Sequence, residues 1–128
     1  MCIFAIFRKK KKRLSAYELG KYGEELASRY LKKNGYIILE RNYKCIYGEV
    51  DIIAKNNDCI VFVEIKTRKK IREIMPEDSI GYSKKQHLLK SAEYYISTLP
   101  DEVNYRFDVV SIELNDLQPE IYIIKDAF

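Results

Sequence analysis

The amino-acid sequence predicts an α/β domain, a mixed sheet of about five strands with α-helices against its faces. Two stretches carry apolar residues at helical spacing, each opened by a capping pattern, Ser15-x-x-Glu18 and Ser83-x-x-Gln86. Five shorter stretches are rich in β-branched and aromatic residues and bounded by turn formers. Their order, helix, three strands, helix, two strands, interleaves the two kinds of element. With 128 residues the chain fits one domain, here expected over residues 14–128, behind a tail of residues 1–13.

The first helix takes Leu19, Tyr22, Gly23, Leu26, Ala27, Tyr30 and Leu31 on one face and stops at Asn34-Gly35. Gly20 and Gly23 weaken it by about 1 kcal/mol each relative to Ala. Two glycines three apart suggest a face where another backbone comes close. Tyr36–Arg41 reads as the first strand; Gly48–Lys55 and Cys59–Lys66 read as a hairpin around Asn56-Asn57-Asp58. Thr67–Arg72 reads as a charged loop. The second helix buries Leu88, Ala92, Tyr95, Ile96 and Leu99, with Pro100 just past its end. Tyr105–Val110 and Ile121–Ile124 complete the strands.

Charge is distributed unevenly. Six basic residues form one run, Arg8–Arg13, and no acid precedes Glu18. Removing those six from the 23 basic residues leaves 17 against 19 acids, a net of −2 for the body. A diffuse basic grip on nucleic acid is thereby excluded; the positive excess lies in an arm that could contact nucleic acid or anionic lipid, or stay solvated. The apolar Met1–Phe7 precedes the charge and lacks a small-residue cleavage site, so it is not a secretory signal. It is also far short of the ~20 residues of a membrane span. Cys2, Cys45 and Cys59 are odd in number and lack metal-ligand spacing, which favours a reducing cytoplasmic setting. Cys45 and Cys59 read as buried small hydrophobes. A single His87 leaves little room for histidine chemistry.

The chemistry concentrates in Gly48-Glu-Val-Asp-Ile-Ile53 and Val61-Phe-Val-Glu-Ile-Lys66. With Asn57-Asp58 as a two-residue hairpin loop, Asp51 faces Glu64, Glu49 faces Lys66 and Ile53 faces Phe62, all on one side. Val50, Ile52 and Ala54 with Val61, Val63 and Ile65 fall on the other. Facing carboxylates would stand ~4.5–5.5 Å apart at Cβ. Either one takes up a proton or a cation sits between them. Two carboxylates without soft ligands suit Mg²⁺ or Mn²⁺. Lys66 would steady charge on a phosphodiester under attack by water. The plainer reading is a solvated strand face with Glu49 and Lys66 as a cross-strand ion pair. Lys69, Lys70, Arg72, Lys84 and Lys85 are candidates for a phosphate-binding rim, or else a solvated loop and helix start.

Asp51, twelve intervening residues, then Glu64-Ile65-Lys66 resembles the core of the PD-(D/E)xK nuclease superfamily, with spacing similar to archaeal Holliday-junction resolvases. A broader pattern includes Gly20-x-x-Gly-Glu24, Gly35-Tyr36, Glu40-Arg-Asn42, Gly48-Glu-x-Asp-Ile52, Val63-Glu-Ile-Lys-Thr-Arg68, Lys85-Gln86, Arg106-Phe-Asp-Val-Val110 and Ala127-Phe128. It resembles the bacterial YraN-like family of endonuclease-like proteins. The resemblance implies a restriction-endonuclease-like fold, Asp51 and Glu64 as metal ligands, Lys66 as catalytic lysine and Glu24 as a further acid from the first helix. Glu49 and Arg68 are secondary candidates. Val50 stands where the superfamily pattern has proline before the aspartate.

Together these readings describe a Mg²⁺- or Mn²⁺-dependent endonuclease-like protein acting on DNA, branched or damaged DNA included. The alternative is a nucleic-acid-binding module on a nuclease scaffold that works with a partner in repair or recombination. A third reading, a membrane-surface protein, rests only on residues 1–13. Related nucleases pair as dimers, so a homodimer is compatible with the resemblance.

Overall fold

The computed structural model describes residues 15–69, 81–115 and 117–128, with Lys69 described in its backbone alone. The elements run α1 (Ala16–Lys33), β1 (Ile37–Cys45), β2 (Gly48–Asn56), β3 (Cys59–Lys69), α2 (Tyr82–Ser97), β4 (Asn104–Leu114) and β5 (Glu120–Ile124). All five strands join one sheet in chain order. Neighbours are antiparallel except β3 and β4, which run parallel. A parallel step needs a long crossover, and α2 lies within it. The mixed α/β sheet expected from the sequence is what forms.

Each helix covers one face of the sheet. Tyr22, Ala27 and Leu31 of α1 pack with Ile52, Ala54, Val61, Val63, Val110, Ile112 and Leu114. Leu88 and Ala92 of α2 pack with Val50, Ile53, Ile60, Phe62, Phe107 and Val109. Complete burial of side chains such as Phe62 and Ile53 contributes about 1.5–3 kcal/mol each.

The start of α1 is built as its sequence suggests. The Glu18 N–H donates to Ser15 Oγ (3.1 Å) and the Ser15 N–H to Glu18 Oε1 (3.0 Å). At the other end Gly35 takes φ 88, and the Tyr36 N–H returns to the Leu31 carbonyl at 2.9 Å. The second expected capping box does not form. There α2 already begins at Tyr82, and Gly81 caps it without a side-chain bond.

Thr67–Lys69, expected in a loop, instead prolong β3. They pair with Ile112, Glu113 and Leu114 of β4, which also runs past Val110, the end expected from the sequence. A long parallel partner supplies the ladder bonds that local sequence cannot advertise. Of the two glycines in α1, only Gly23 lies at a close approach, against the Thr67 side chain rather than a backbone; Gly20 faces open space.

One end of the sheet is tied by a buried carboxylate. Asp108 is fully buried; its Oδ1 accepts from Arg106 Nε (3.0 Å) and the Asp126 N–H (3.0 Å). Its Oδ2 accepts from the Tyr36 hydroxyl (2.9 Å) and Arg106 Nη2 (3.1 Å). Arg106 also reaches Asn56 Oδ1 at 3.0 Å. Burial, with the Asp108 charge beside it, pushes the Tyr36 hydroxyl up to about 12. Just beyond, the Ala127 N–H bonds the Phe107 carbonyl and Phe128 stacks on Phe107. The spaced motifs Gly35-Tyr36, Arg106-Phe-Asp108 and Ala127-Phe128 therefore meet in a structural clasp.

Candidate active site

The β2–β3 hairpin closes as its turn residues require. Asn57 adopts φ 56, and pairing runs from Asn56↔Cys59 to Ile52↔Val63. There the ladder stops, one residue short of Asp51 and Glu64. Beyond this point β2 continues beside β1, as in Lys44↔Glu49, while β3 continues beside β4, as in Glu64↔Val109 and Lys66↔Ser111. The two strands part like a fork, and the acids stand in its crotch.

Asp51 sits where β2 is irregular. The β1–β2 register shifts between Ile38 and Glu40, and Asn42, which falls opposite Asp51 by count, takes φ 54. The expected face assignment fails here. Val50 packs with Ile53 and Phe62 on the α2 side, not with Ile52 and Ala54. Strict alternation would forbid this, so the chain breaks its pleat at Asp51. Accordingly Glu49 pairs with Lys44, and no ladder pairing joins it to Lys66.

The Asp51 carboxylate reaches sideways across the fork, where its Oδ2 accepts the Ile65 N–H at 2.9 Å. Burial pushes its pKa up to about 7, helped by the Glu64 carboxylate beside it; the Ile65 N–H and Lys84 oppose the shift. Glu64 is 6% exposed. Its Oε2 receives the Lys84 ammonium at 2.8 Å, while its Oε1 is buried with no donor. With both acids ionised, that oxygen has lost its water without gaining a partner, a costly state. A proton shared with Asp51 or a cation between the two acids would relieve it. Hard oxygen donors on a buried, like-charged pair fit Mg²⁺ or Mn²⁺.

Other candidates are placed differently. Lys66 and Arg68 are half-buried on β3, two and four residues beyond Glu64. On α1, Glu24 turns to β1: its Oε1 accepts from Asn42 Nδ2 at 2.9 Å and lies 3.9 Å from Arg41 Nη2. Among the described residues no group of three or more His, Cys, Asp or Glu side chains is arranged to hold a metal ion. Lys84, read as part of a phosphate rim, is instead ion-paired to Glu64, and its acidity is weakened chiefly by that hydrogen bond. Lys85 lies over the Phe128 ring, 5.3 Å from its centre. The Lys69 side chain, Lys70, Arg72 and the tail of residues 1–13 lie outside the described residues. Cys45 and Cys59 are half-exposed rather than buried.

Two roles escaped the sequence reading, though both residues are named in it. Asn42 both bends β1 opposite Asp51 and holds Glu24; an Asn flanked by strand residues is a weak sign of such a left-handed position. Lys84 comes from α2, which lies against β2 where Gly48 (φ 140) faces His87 and Ser91. Lys84 is one turn before His87. No described helix is long and apolar enough to cross a membrane.

A family model described as "Uncharacterised protein family UPF0102" matches residues 23–112. A UPF0102 protein of Caldicellulosiruptor bescii is 45% identical over 115 residues, covering 87% of this chain and 97% of the relative. One from Syntrophus aciditrophicus is 44% identical over 110 residues (85% and 87%), and one from Clostridium acetobutylicum 47% over 112 residues (85% and 92%). Among solved structures, Pyrococcus furiosus SfsA in complex with Ca²⁺ is similar at TM-score 0.35 and 16% identity. That likeness covers 84% of this chain and 62% of the other, and is too weak to bear on the site.

Proposed function

The chain belongs to the uncharacterised protein family UPF0102, the YraN-like family, and we propose that it is a Mg²⁺- or Mn²⁺-dependent endonuclease-like enzyme acting on DNA, including branched or damaged DNA. One observation carries the reading: Asp51 and Glu64 share the crotch of the β2–β3 fork, with Glu64 Oε1 buried and without a donor. The resemblance of Asp51 and Glu64-Ile65-Lys66 to the PD-(D/E)xK core supports it, as does a mixed sheet with a helix on each face.

Asp51 and Glu64 would hold the cation, which when bound supplies positive charge for the phosphate and acidifies a water. The Ile65 N–H fixes the Asp51 carboxylate, so the ligand is oriented before substrate arrives. Lys66 would orient water or steady the phosphate oxygens. Glu24 lies on the α1 side, engaged by Asn42 and Arg41, and would join only after leaving them. Hydrolysis forms a bond from water oxygen to phosphorus and releases the ester oxygen, which gains a proton.

The test is cleavage of duplex, single-stranded and four-way-junction DNA with Mg²⁺ or Mn²⁺. Asp51→Asn and Lys66→Ala should each abolish it while leaving the fold intact. A wild-type protein that cleaves none of these, nor RNA, overturns the enzyme reading.

A second reading, a non-catalytic nucleic-acid-binding protein serving a partner in repair or recombination, is favoured by the Lys84–Glu64 pair, which already neutralises one acid. DNA binding indifferent to metal and to Lys66→Ala would select it.

A further inference from the structure

We infer that Lys84 is a displaceable counter-ion of the acidic pair: its ammonium and the divalent cation compete for Glu64, and the cation turns Lys84 out toward the substrate phosphate. The inference rests on the metal-dependent reading and adds a positioning residue to it.

Its geometry is specific. Lys84 Nζ is 2.8 Å from Glu64 Oε2, on a carboxylate whose side chain is 8% exposed, while half of the Lys84 side chain faces solvent. One end of the contact is fixed and buried; the other is a long side chain free to swing outward. Lys84 also occupies an unfavourable place on its own helix. It lies in the first turn of α2, which contains no acid, where the positive end of the helix dipole disfavours a cation. Glu64 compensates that cost across the fork. A divalent ion ligated by Asp51 and Glu64 would stand within a few ångströms of the ammonium, and two cations so close repel more strongly in a half-buried site than in water. The ammonium is the one tethered to a mobile stem, so it yields. Displaced, it remains at the rim of the fork, where a phosphate must lie to meet the acids. Cation binding and phosphate binding are then coupled, each favouring the other.

The test titrates Mn²⁺ calorimetrically into wild type, Lys84→Met, Lys84→Arg and Asp51→Asn. Competition predicts roughly tenfold tighter Mn²⁺ binding by Lys84→Met and near-wild-type binding by Lys84→Arg, which also guards against a folding defect in the methionine variant. A labelled DNA duplex should bind wild type more tightly with Ca²⁺ than with chelator, and Lys84→Met should lose most of that gain. Equal or weaker Mn²⁺ binding by Lys84→Met, or an undiminished Ca²⁺ gain, overturns the inference and leaves the acidic pair as a cation site. If wild type and Lys84→Met both fail to bind Mn²⁺, the metal-dependent reading falls, and the inference with it.

Discussion

Asp51 bonds the Ile65 N–H across a gap where β2 and β3 no longer pair, at 2.9 Å. A side chain thus does what a strand carbonyl would have done, and the substitution keeps the acid turned toward Glu64. Asn at this position retains an acceptor for Ile65 and removes one of two like charges. Asp51→Asn should therefore leave the metal-free protein at least as stable as wild type, with a gain on the order of 1 kcal/mol at neutral pH. It should also lose the rise in melting temperature that Mn²⁺ gives wild type. Thermal unfolding with and without Mn²⁺ measures both.

The same acid gives a pH dependence with a definite sign. In the native protein Asp51 is raised from 3.8 to about 7, so the folded state favours its neutral form. Its contribution to stability is whole below the unfolded value and declines as pH rises through about 7. In chelator, wild type should lose stability across that interval, and Asp51→Asn should show a flatter profile in urea denaturation. Equal slopes in the two proteins would contradict the assignment to Asp51.

Gly20 and Gly23 should respond oppositely to alanine. At Gly20 nothing lies within 4 Å of a new Cβ, so Gly20→Ala should stabilise α1 by about 0.5–1 kcal/mol through propensity. At Gly23 the new Cβ would collide with the Thr67 side chain, whose branched carbon has little rotamer freedom. Overpacking there should cost about 1–3 kcal/mol, outweighing the helical gain. Paired urea melts separate the two.

The Asp108 clasp should be costly to break. Asp108→Ala strips four donors of their acceptor and leaves Arg106 uncompensated, a loss of about 3–5 kcal/mol. Tyr36→Phe removes one donor from the cluster and should cost only about 1–2 kcal/mol. Equilibrium denaturation gives the ratio; a mild Asp108→Ala would mean that water reaches the arginine.

How far the site could be read in advance follows from where its parts lie in the chain. The hairpin register from Asn56↔Cys59 to Ile52↔Val63 was legible because a two-residue turn fixes pairing on both sides of it. Extrapolated one residue further, the same rule pairs Asp51 with Glu64, which the structure leaves as neighbours across the fork rather than a ladder pair; at the second residue it puts Val50 on the wrong face, since a pleat break opposite Asn42 has no strong sequence signal.

By itself, then, the amino-acid order determined the helix starting at Ser15, the strand pairing around Asn57, and the two acids meeting at one place. These depend on interactions spanning a few residues, where turn chemistry and periodicity act directly. Tertiary packing decided that the strands separate beyond Val63, that Glu24 is engaged by Asn42 and Arg41, and that Lys84 is the ammonium on Glu64. Those outcomes depend on how a helix is rotated against a sheet and on which strand wins a shared partner, quantities set by the whole core at once.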